Sequence, residues 1–231
     1  MTIKTRIATT CIGLLGCLLC LGGIARAQNA ALGKKVTFAP KPNYRLTTRG
    51  DTDATDLTDG KITRREDQHI WFDAKAVGWS YPGLVRLAVD LEKPTDIKSV
   101  SIRLLGGSTQ SQIGFPPLIR AVVSENGKDW YLAGQFSHFK DDPYEDRRRF
   151  GVPPETGKTF VHNLVFGTGI GTVRYVGFEI YGSGVTVSDE ICVQAADRAT
   201  NHLRARRALP RVPFSVTRPQ LYFHKPVLHV P

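Results

Sequence analysis

Once its first 27 residues are set aside, this chain has one cysteine, Cys192, and no methionine. No disulfide can form within such a body, so burial of apolar side chains must hold it together. Cys192 lies in Ile191-Cys192-Val193 with no base beside it, the setting of a small buried hydrophobe and not of a nucleophile. After residue 27 no apolar run is long enough to cross a bilayer. The zinc-protease pattern H-E-x-x-H, the hydrolase elbow G-x-S-x-G and paired metal-binding cysteines are all missing. GVPPETGKT puts five residues between Gly151 and Gly157, two of them Pro, where a phosphate loop has four. GTGIGT, from Gly167, lacks dinucleotide-loop spacing and leads into a strand-like run. The acid pairs Asp141-Asp142 and Glu145-Asp146 adjoin Arg147, Arg148 and Arg149, which reads as surface ion pairing and not as two acids across a glycosidase cleft. These absences predict a non-catalytic protein.

The start of the chain has a clear pattern. Lys4 and Arg6 precede CIGLLGCLLCLGGIA, and Ala25-Arg26-Ala27 follows. A basic start, a short apolar run and a small-residue cleavage site predict a signal peptide over 1–27 and a secreted or periplasmic product. Lipoprotein anchoring at Cys17 is the alternative reading. Removal of Lys4, Arg6 and Arg26 lowers the formal charge of the 231-residue chain from +10 to +7. Much of that excess collects beyond a body at 28–197, in a Pro-punctuated tail at 198–231 with Arg198, Arg204, Arg206, Arg207, Arg211, Arg218 and Lys225. Charge placed there reads as a solvated linker, and nucleic acid is not an expected partner. The tail ends in the strand-like LYFHKPVLHVP. It is either a linker to a further domain or an arm that packs back on the body or on a partner.

The body reads as strands and loops. LVRLAVDL alternates Val85, Leu87, Val89 and Leu91 with Arg86, Ala88 and Asp90, which buries one face only. KSVSIRLL and IRAVVS repeat the period. TFVHNLVF and VRYVGFEIYG are apolar on both faces and are expected to be central, and EICV to end the sheet. Asn126-Gly127 in SENGKDW is a hairpin signal. No run carries a helical period over ten residues. QHIWFDAKAVGWSYPG, and HFKDDPYEDRRRFGVPPETGK from His138, read as long loops, and long loops in a compact body are often functional. Trp130, Tyr175 and Phe178 read as core. The strand count predicts an all-β sandwich or barrel.

LTDGK, VRLAVDLEKPTDIKSVSIR, VSENGKDW, VRYVGFEIYG and SDEICV occur in that order. Together they resemble the discoidin, or coagulation factor 5/8 type C, family over about residues 30–196. The resemblance implies a galactose-binding-like jelly-roll β-sandwich. It also implies a structural calcium at the Asp-Gly loop, with carboxylates from Asp59 and Glu190 and carbonyls from Asp56, Lys61 and Asp189, an all-oxygen set suited to a hard cation. The chain departs from the family at Arg64, where Thr is common; Thr63 would replace it with a shift of one residue.

The acidic stretch RGDTDATDLTDGK can then be divided. Asp51-Thr52-Asp53-Ala54-Thr55 fails as an EF-hand loop at the third ligand. Arg49-Gly50-Asp51 is only a tripeptide, and the early aspartates read as a solvated loop.

The resemblance further implies ligands at the loops of one sandwich end. Sugars are held by aromatic faces with a few polar side chains to orient them. The candidates are His69, Trp71, Trp79, Tyr81, Arg120, His138 and Tyr144. The expected partner is a glycan or cell-surface polysaccharide, with targeting or adhesion as the role. An accessory module of a larger glycan-processing protein is the alternative, and membrane contact through exposed aromatics is a further reading.

Overall fold

The computed structural model describes residues 28–63, 70–182, 184–196 and 209–216. The expected signal peptide and most of the tail lie outside the described residues.

The alternating runs at 84–91 and 98–105 form the two halves of one long strand, β3 (Gly83–Gly106). Its pairing shifts register between Asp90 and Thr95, and Glu92 takes φ +69° there. At that corner the chain passes from one layer to the other.

The first layer runs β1 (Val36–Ala39), the first half of β3, β7 (Gly171–Gly182), β4 (Leu118–Ser124), β5 (Trp130–Ser137) and β9 (Arg211–Val212), each antiparallel to its neighbour. The second runs β2 (Val77–Ser80), β8 (Val185–Ala195), the second half of β3 and β6 (Phe160–Phe166). Leu87, Phe178 and Ile119 from the first layer meet Ile102, Leu164 and Ile191 from the second, all at 0% exposure. Interleaved inner faces of this kind make a sandwich core. The α-helices among the described residues are short, α1 (Asp53–Asp56) of four residues and α2 (Glu145–Phe150) of six, so the absence of a ten-residue helical period is borne out.

Three strand expectations are corrected. VGWS, read as loop, is β2, because β8 supplies a partner that a four-residue run does not advertise. EICV does not end a sheet; it lies within eleven-residue β8, between β2 and β3. TFVHNLVF pairs with β3 alone, and Val165 on its outer side is exposed, so its apolar outer face belongs to a sheet edge.

The start of the arm at 209–216 packs back on the body. Arg211 and Val212 pair with Tyr131 and Trp130, and Phe214 stacks on Trp130 at 4.4 Å between ring centroids. A Cβ at Gly177 would stand 2.7 Å from the Phe214 ring, so only glycine leaves room for it on the outer face of β7. Phe178 is core as expected, and Trp130 is buried too, at 5% exposure, but in this second, outer cluster, against which Tyr175 packs partly buried. Phe214→Ala is expected to lower the unfolding free energy by about 2 kcal/mol, less than a central Phe→Ala because an edge can relax. Urea denaturation checks this, and an unchanged midpoint would mean that the arm adds nothing.

Candidate functional site

At the end of β5 the chain turns through a short, densely bonded segment. Ser137 N–H donates to Asp146 Oδ2 at 2.7 Å, and His138 N–H to the Pro117 carbonyl at 2.7 Å. Asp146 is 1% exposed and also receives Lys140 Nζ at 2.8 Å, which pushes the lysine pKa up. Asp142, Glu145 and Asp146 of this run do ion-pair, but Asp146 spends its charge inside, fastening α2 to β5. Gly151 ends α2 at φ +67°, a conformation that favours glycine. The chain then doubles back through Val152-Pro153-Pro154 to Glu155.

Between this return and the end of β5 lies a cavity of about 630 Å³, walled by His138, Tyr144, Arg147, Arg148 and the segment from Gly151 to Glu155. Tyr144 is 59% exposed, with its ring edge-on to His138 at 5.6 Å. Arg147 donates from Nη1 to the Pro153 carbonyl at 2.6 Å and from Nη2 to Glu155 Oε1 at 3.0 Å. Glu155 Oε1 also accepts from Phe115 N–H at 2.8 Å. Arg148 pairs with Asp142, whose carboxyl is held below its ordinary range mainly by that hydrogen bond. Glu155 Oε2 and His138 Nδ1 have no hydrogen-bond partner, and both are closed off from solvent, so neither atom opens on the cavity.

Of the predicted ligand residues, the structure brings together His138 and Tyr144. Trp79 is a correction: it is 0% exposed, edge-on to Phe38, with Nε1 donating to the Pro40 carbonyl at 3.0 Å, so neither face is open to a sugar. Trp71 packs half-buried over Ile70 and Leu105 and is edge-on to Phe72. Tyr81 is 64% exposed, in the turn before Gly83, apart from the cavity wall. Arg120 lies on the outer face of β4, bonded to Gln135 at 2.9 Å and near Glu179 at 3.6 Å. His69 lies outside the described residues. Arg147 and Glu155 were not anticipated; the Pro-Pro bend that carries Glu155 back to Arg147 was the available signal.

The Asp-Gly loop forms a second constellation. Arg49, Gly50 and Asp51 form an exposed turn, but the next aspartates are not solvated as expected: Asp53, 4% exposed, accepts the Arg49 and Gly50 N–H groups at 2.8 and 3.1 Å, and Asp56 is 8% exposed. Asp59 accepts from Lys61 N–H at 2.7 Å, and Glu190 from Gly60 N–H at 3.2 Å. Burial first, then Asp59 and Asp189, raise the Glu190 carboxyl to about 7. Burial and the neighbouring Asp53 and Asp59 raise Asp56 too, against a lowering hydrogen bond from Thr52. The Asp189 carboxylate is taken by Arg103, at 2.9 and 3.3 Å, and by Thr63 N–H at 3.0 Å. Asp189 is the extra residue of a bulge, since Arg103 faces Glu190 and Leu104 faces Ser188. Arg64 lies outside the described residues. No group of three acidic, His or Cys side chains able to hold a metal occurs among the described residues. What the loop offers a cation is therefore two carboxylates, Glu190 and Asp59, the second of which also pairs with Lys61 Nζ at 3.1 Å.

No known family model matches the chain, and no curated protein matches it. The fold is a two-sheet antiparallel β-sandwich, as the discoidin resemblance implies. Among solved structures, the chain is similar to the lectin domain of lectinolysin complexed with Lewis B antigen, at TM-score 0.47 and 16% identity over 74% of this chain and 98% of that one. It is similar to CpGH89CBM32-4, produced by Clostridium perfringens, in complex with glcNAc-alpha-1,4-galactose, at TM-score 0.47 and 12% identity over 74% and 96%. A Streptococcus pneumoniae fucose binding module, SpX-3, is similar at TM-score 0.46 and 11% identity over 74% and 99%.

Proposed function

We propose that this chain is an exported, non-catalytic glycan-binding module whose ligand occupies the cavity between His138 and Glu155. The observation that carries the reading is an exposed tyrosine ring, Tyr144, on the wall of a cavity beside Arg147 and Arg148, whose guanidinium groups are fixed by Glu155 and Asp142. An aromatic face next to a few fixed polar groups suits the C–H and O–H surfaces of a sugar. The module would serve targeting or adhesion, by itself or as an accessory to a glycan-processing partner.

Tyr144→Ala is expected to weaken glycan binding at least tenfold while leaving the melting temperature nearly unchanged, because the ring is largely exposed. Calorimetric titration against an oligosaccharide that binds the unmodified chain checks this. Undiminished affinity would move the site elsewhere.

Membrane contact is the second reading. Phe139, next to His138, is 72% exposed, an apolar tip that could enter a lipid surface. Co-sedimentation with anionic and neutral vesicles, lost in Phe139→Ala, would favour it.

We also propose that the Asp-Gly loop takes a structural calcium, with Asp59 and Glu190 as carboxylate ligands and the carbonyls of Asp56, Lys61 and Asp189 completing the set. The ion would neutralise the crowded acids and brace the loop against β8. The support is the convergence of two carboxylates on one glycine turn, next to a bulge in β8.

A further inference from the structure

Of the three non-glycine residues at positive φ among the described residues, two meet at one end of the sandwich. Tyr81, between β2 and β3, stands at φ +47°, and Gln112, between β3 and β4, at +61°. Gly184, in the turn before β8, joins them. Its carbonyl accepts the Tyr81 N–H at 2.8 Å, and a Cβ on it would stand 2.0 Å from the Gln112 carbonyl oxygen. That oxygen accepts in turn from the Val185 N–H at 2.8 Å. Asn43 fixes the Tyr81 turn from the other side, its Oδ1 accepting the Ser80 N–H at 2.8 Å.

An aromatic residue in the left-handed region costs folding free energy that a glycine in the same turn would not. Burial does not offset that cost, because the Tyr81 ring is 64% exposed. What the strained turn achieves is to hold an aromatic ring out in solvent. Across Gly184 from it, Thr109, Gln110, Ser111 and Gln112 are all exposed, a run of hydroxyls and amides. This surface and the glycan cavity share an end of the fold. Leu84, Tyr181, Leu118 and Ser137 lie in register across β3, β7, β4 and β5, and the chain reaches Tyr81 just beyond the first and His138 just beyond the last. They also share a segment. Next to Gln112, Phe115 N–H donates to Glu155 Oε1 at 2.8 Å, and Gly157 N–H donates to the Gly107 carbonyl at 2.9 Å. The exposed rings of Tyr81 and Tyr144 are thus joined through residues 107–117.

We propose that Tyr81 is a second sugar-stacking subsite, and that the ligand of this end is an oligosaccharide chain running from the His138–Glu155 cavity over residues 107–117 to the Tyr81 ring. The proposal rests on the glycan reading above and adds the length of the ligand. One sugar unit stacks on Tyr144 in the cavity and a later unit on Tyr81, with the exposed hydroxyls and amides of 109–112 available to the chain's own hydroxyls. Once the first unit is seated, contact with Tyr81 is intramolecular, so affinity grows with chain length until the second ring is reached. Gly184 is the positioning residue, holding the Tyr81 turn against the Gln112 loop.

The experiment is calorimetric titration of the full chain with β-1,4-linked oligosaccharides of glucose, of N-acetylglucosamine and of galactose, each from the monosaccharide to about six units. At least one series is expected to bind, with a Kd that falls about tenfold or more from the shortest member to the longest. Tyr81→Gly is expected to remove that gain and leave the monosaccharide affinity as it was, whereas Tyr144→Ala weakens short and long members alike. Glycine is at ease at φ +47°, so Tyr81→Gly is expected not to lower the melting temperature, which separates lost binding from lost folding. If Tyr81→Gly melts below the assay temperature, the length series on the unmodified chain decides. A Kd that does not change with length, or a gain that survives Tyr81→Gly, would overturn the proposal while the cavity keeps its glycan. Silence with all three series would sink the glycan reading, and this proposal with it.

Discussion

Glu179→Ala is expected to cost about 3–5 kcal/mol of stability, the effect of leaving a buried charge without its counter-ion. Glu179 is 4% exposed and Arg86 5%, and they meet across β7 and β3 at 3.0 Å. On the far side Arg120 approaches Glu179 at 3.6 Å and bonds Gln135. The row therefore stitches β3, β7, β4 and β5 across the outer face of the first layer. Removing the acid strands the Arg86 guanidinium in a site too dry to hydrate it. Replacing both partners together, as Arg86→Met with Glu179→Leu, is expected to cost far less, because no charge is then left buried. Chemical denaturation of the two single variants and the double variant measures the coupling. A loss under about 1 kcal/mol for Glu179→Ala would show that the pair is better hydrated than its exposure implies. Below its melting range Glu179→Ala should still bind glycan, since the row lies outside the His138–Glu155 cavity. The same result would settle Arg120 as part of the scaffold.

What could be read in the sequence follows the range of the interactions. Alternation along 84–91 and the Asn126-Gly127 turn are set by neighbours in the chain, and both stand as read. The placement of β2 and β8 depends on partners more than a hundred residues apart, such as Trp79 and Thr186, and no local pattern announces that. Trp79 shows the limit for the site. An aromatic in a loop-rich run has the same signature whether it stacks on a sugar or fills the core, and only Phe38 and Pro40, brought in by β1, decide it. The exposure of Tyr144 was legible, because a charged, Pro-broken run leaves most of its side chains on the surface. The place of Glu155 was not, because its partners, Arg147 and the Phe115 N–H, are brought to it by the return of the chain and by a segment forty residues away.

In calcium-free buffer the domain is expected to lose stability as pH rises from about 4.5 to about 7, the window between the ordinary and the raised Glu190 values. Burial is the largest cause of that rise, followed by Asp59 and Asp189. Across the window the folded state keeps a proton that the unfolded chain gives up. The contribution is therefore fully present below about 4.5 and spent once pH passes 7. Asp56, raised by burial and by the same cluster of acids, adds to the trend. Glu190→Gln, which can still accept from Gly60 N–H, should flatten the profile; a wild-type melting temperature that rises over this window would contradict the assignment. Calcium is a separate test of the loop. At pH 7.5 and a hundredfold excess over its Kd, the ion is expected to add about 2.7 kcal/mol, or roughly 5–10 °C in melting temperature for a domain of this size. Asp59→Ala and Glu190→Gln should each abolish that gain; Glu190→Gln should also flatten most of the pH slope, and Asp59→Ala only reduce it. If millimolar calcium leaves the unmodified chain's melting temperature where EDTA leaves it, the loop holds no ion. The clustered acids would then be a standing cost of the fold, met by Arg103, Lys61, the Asn29 amide and the Gly60 and Thr63 N–H groups.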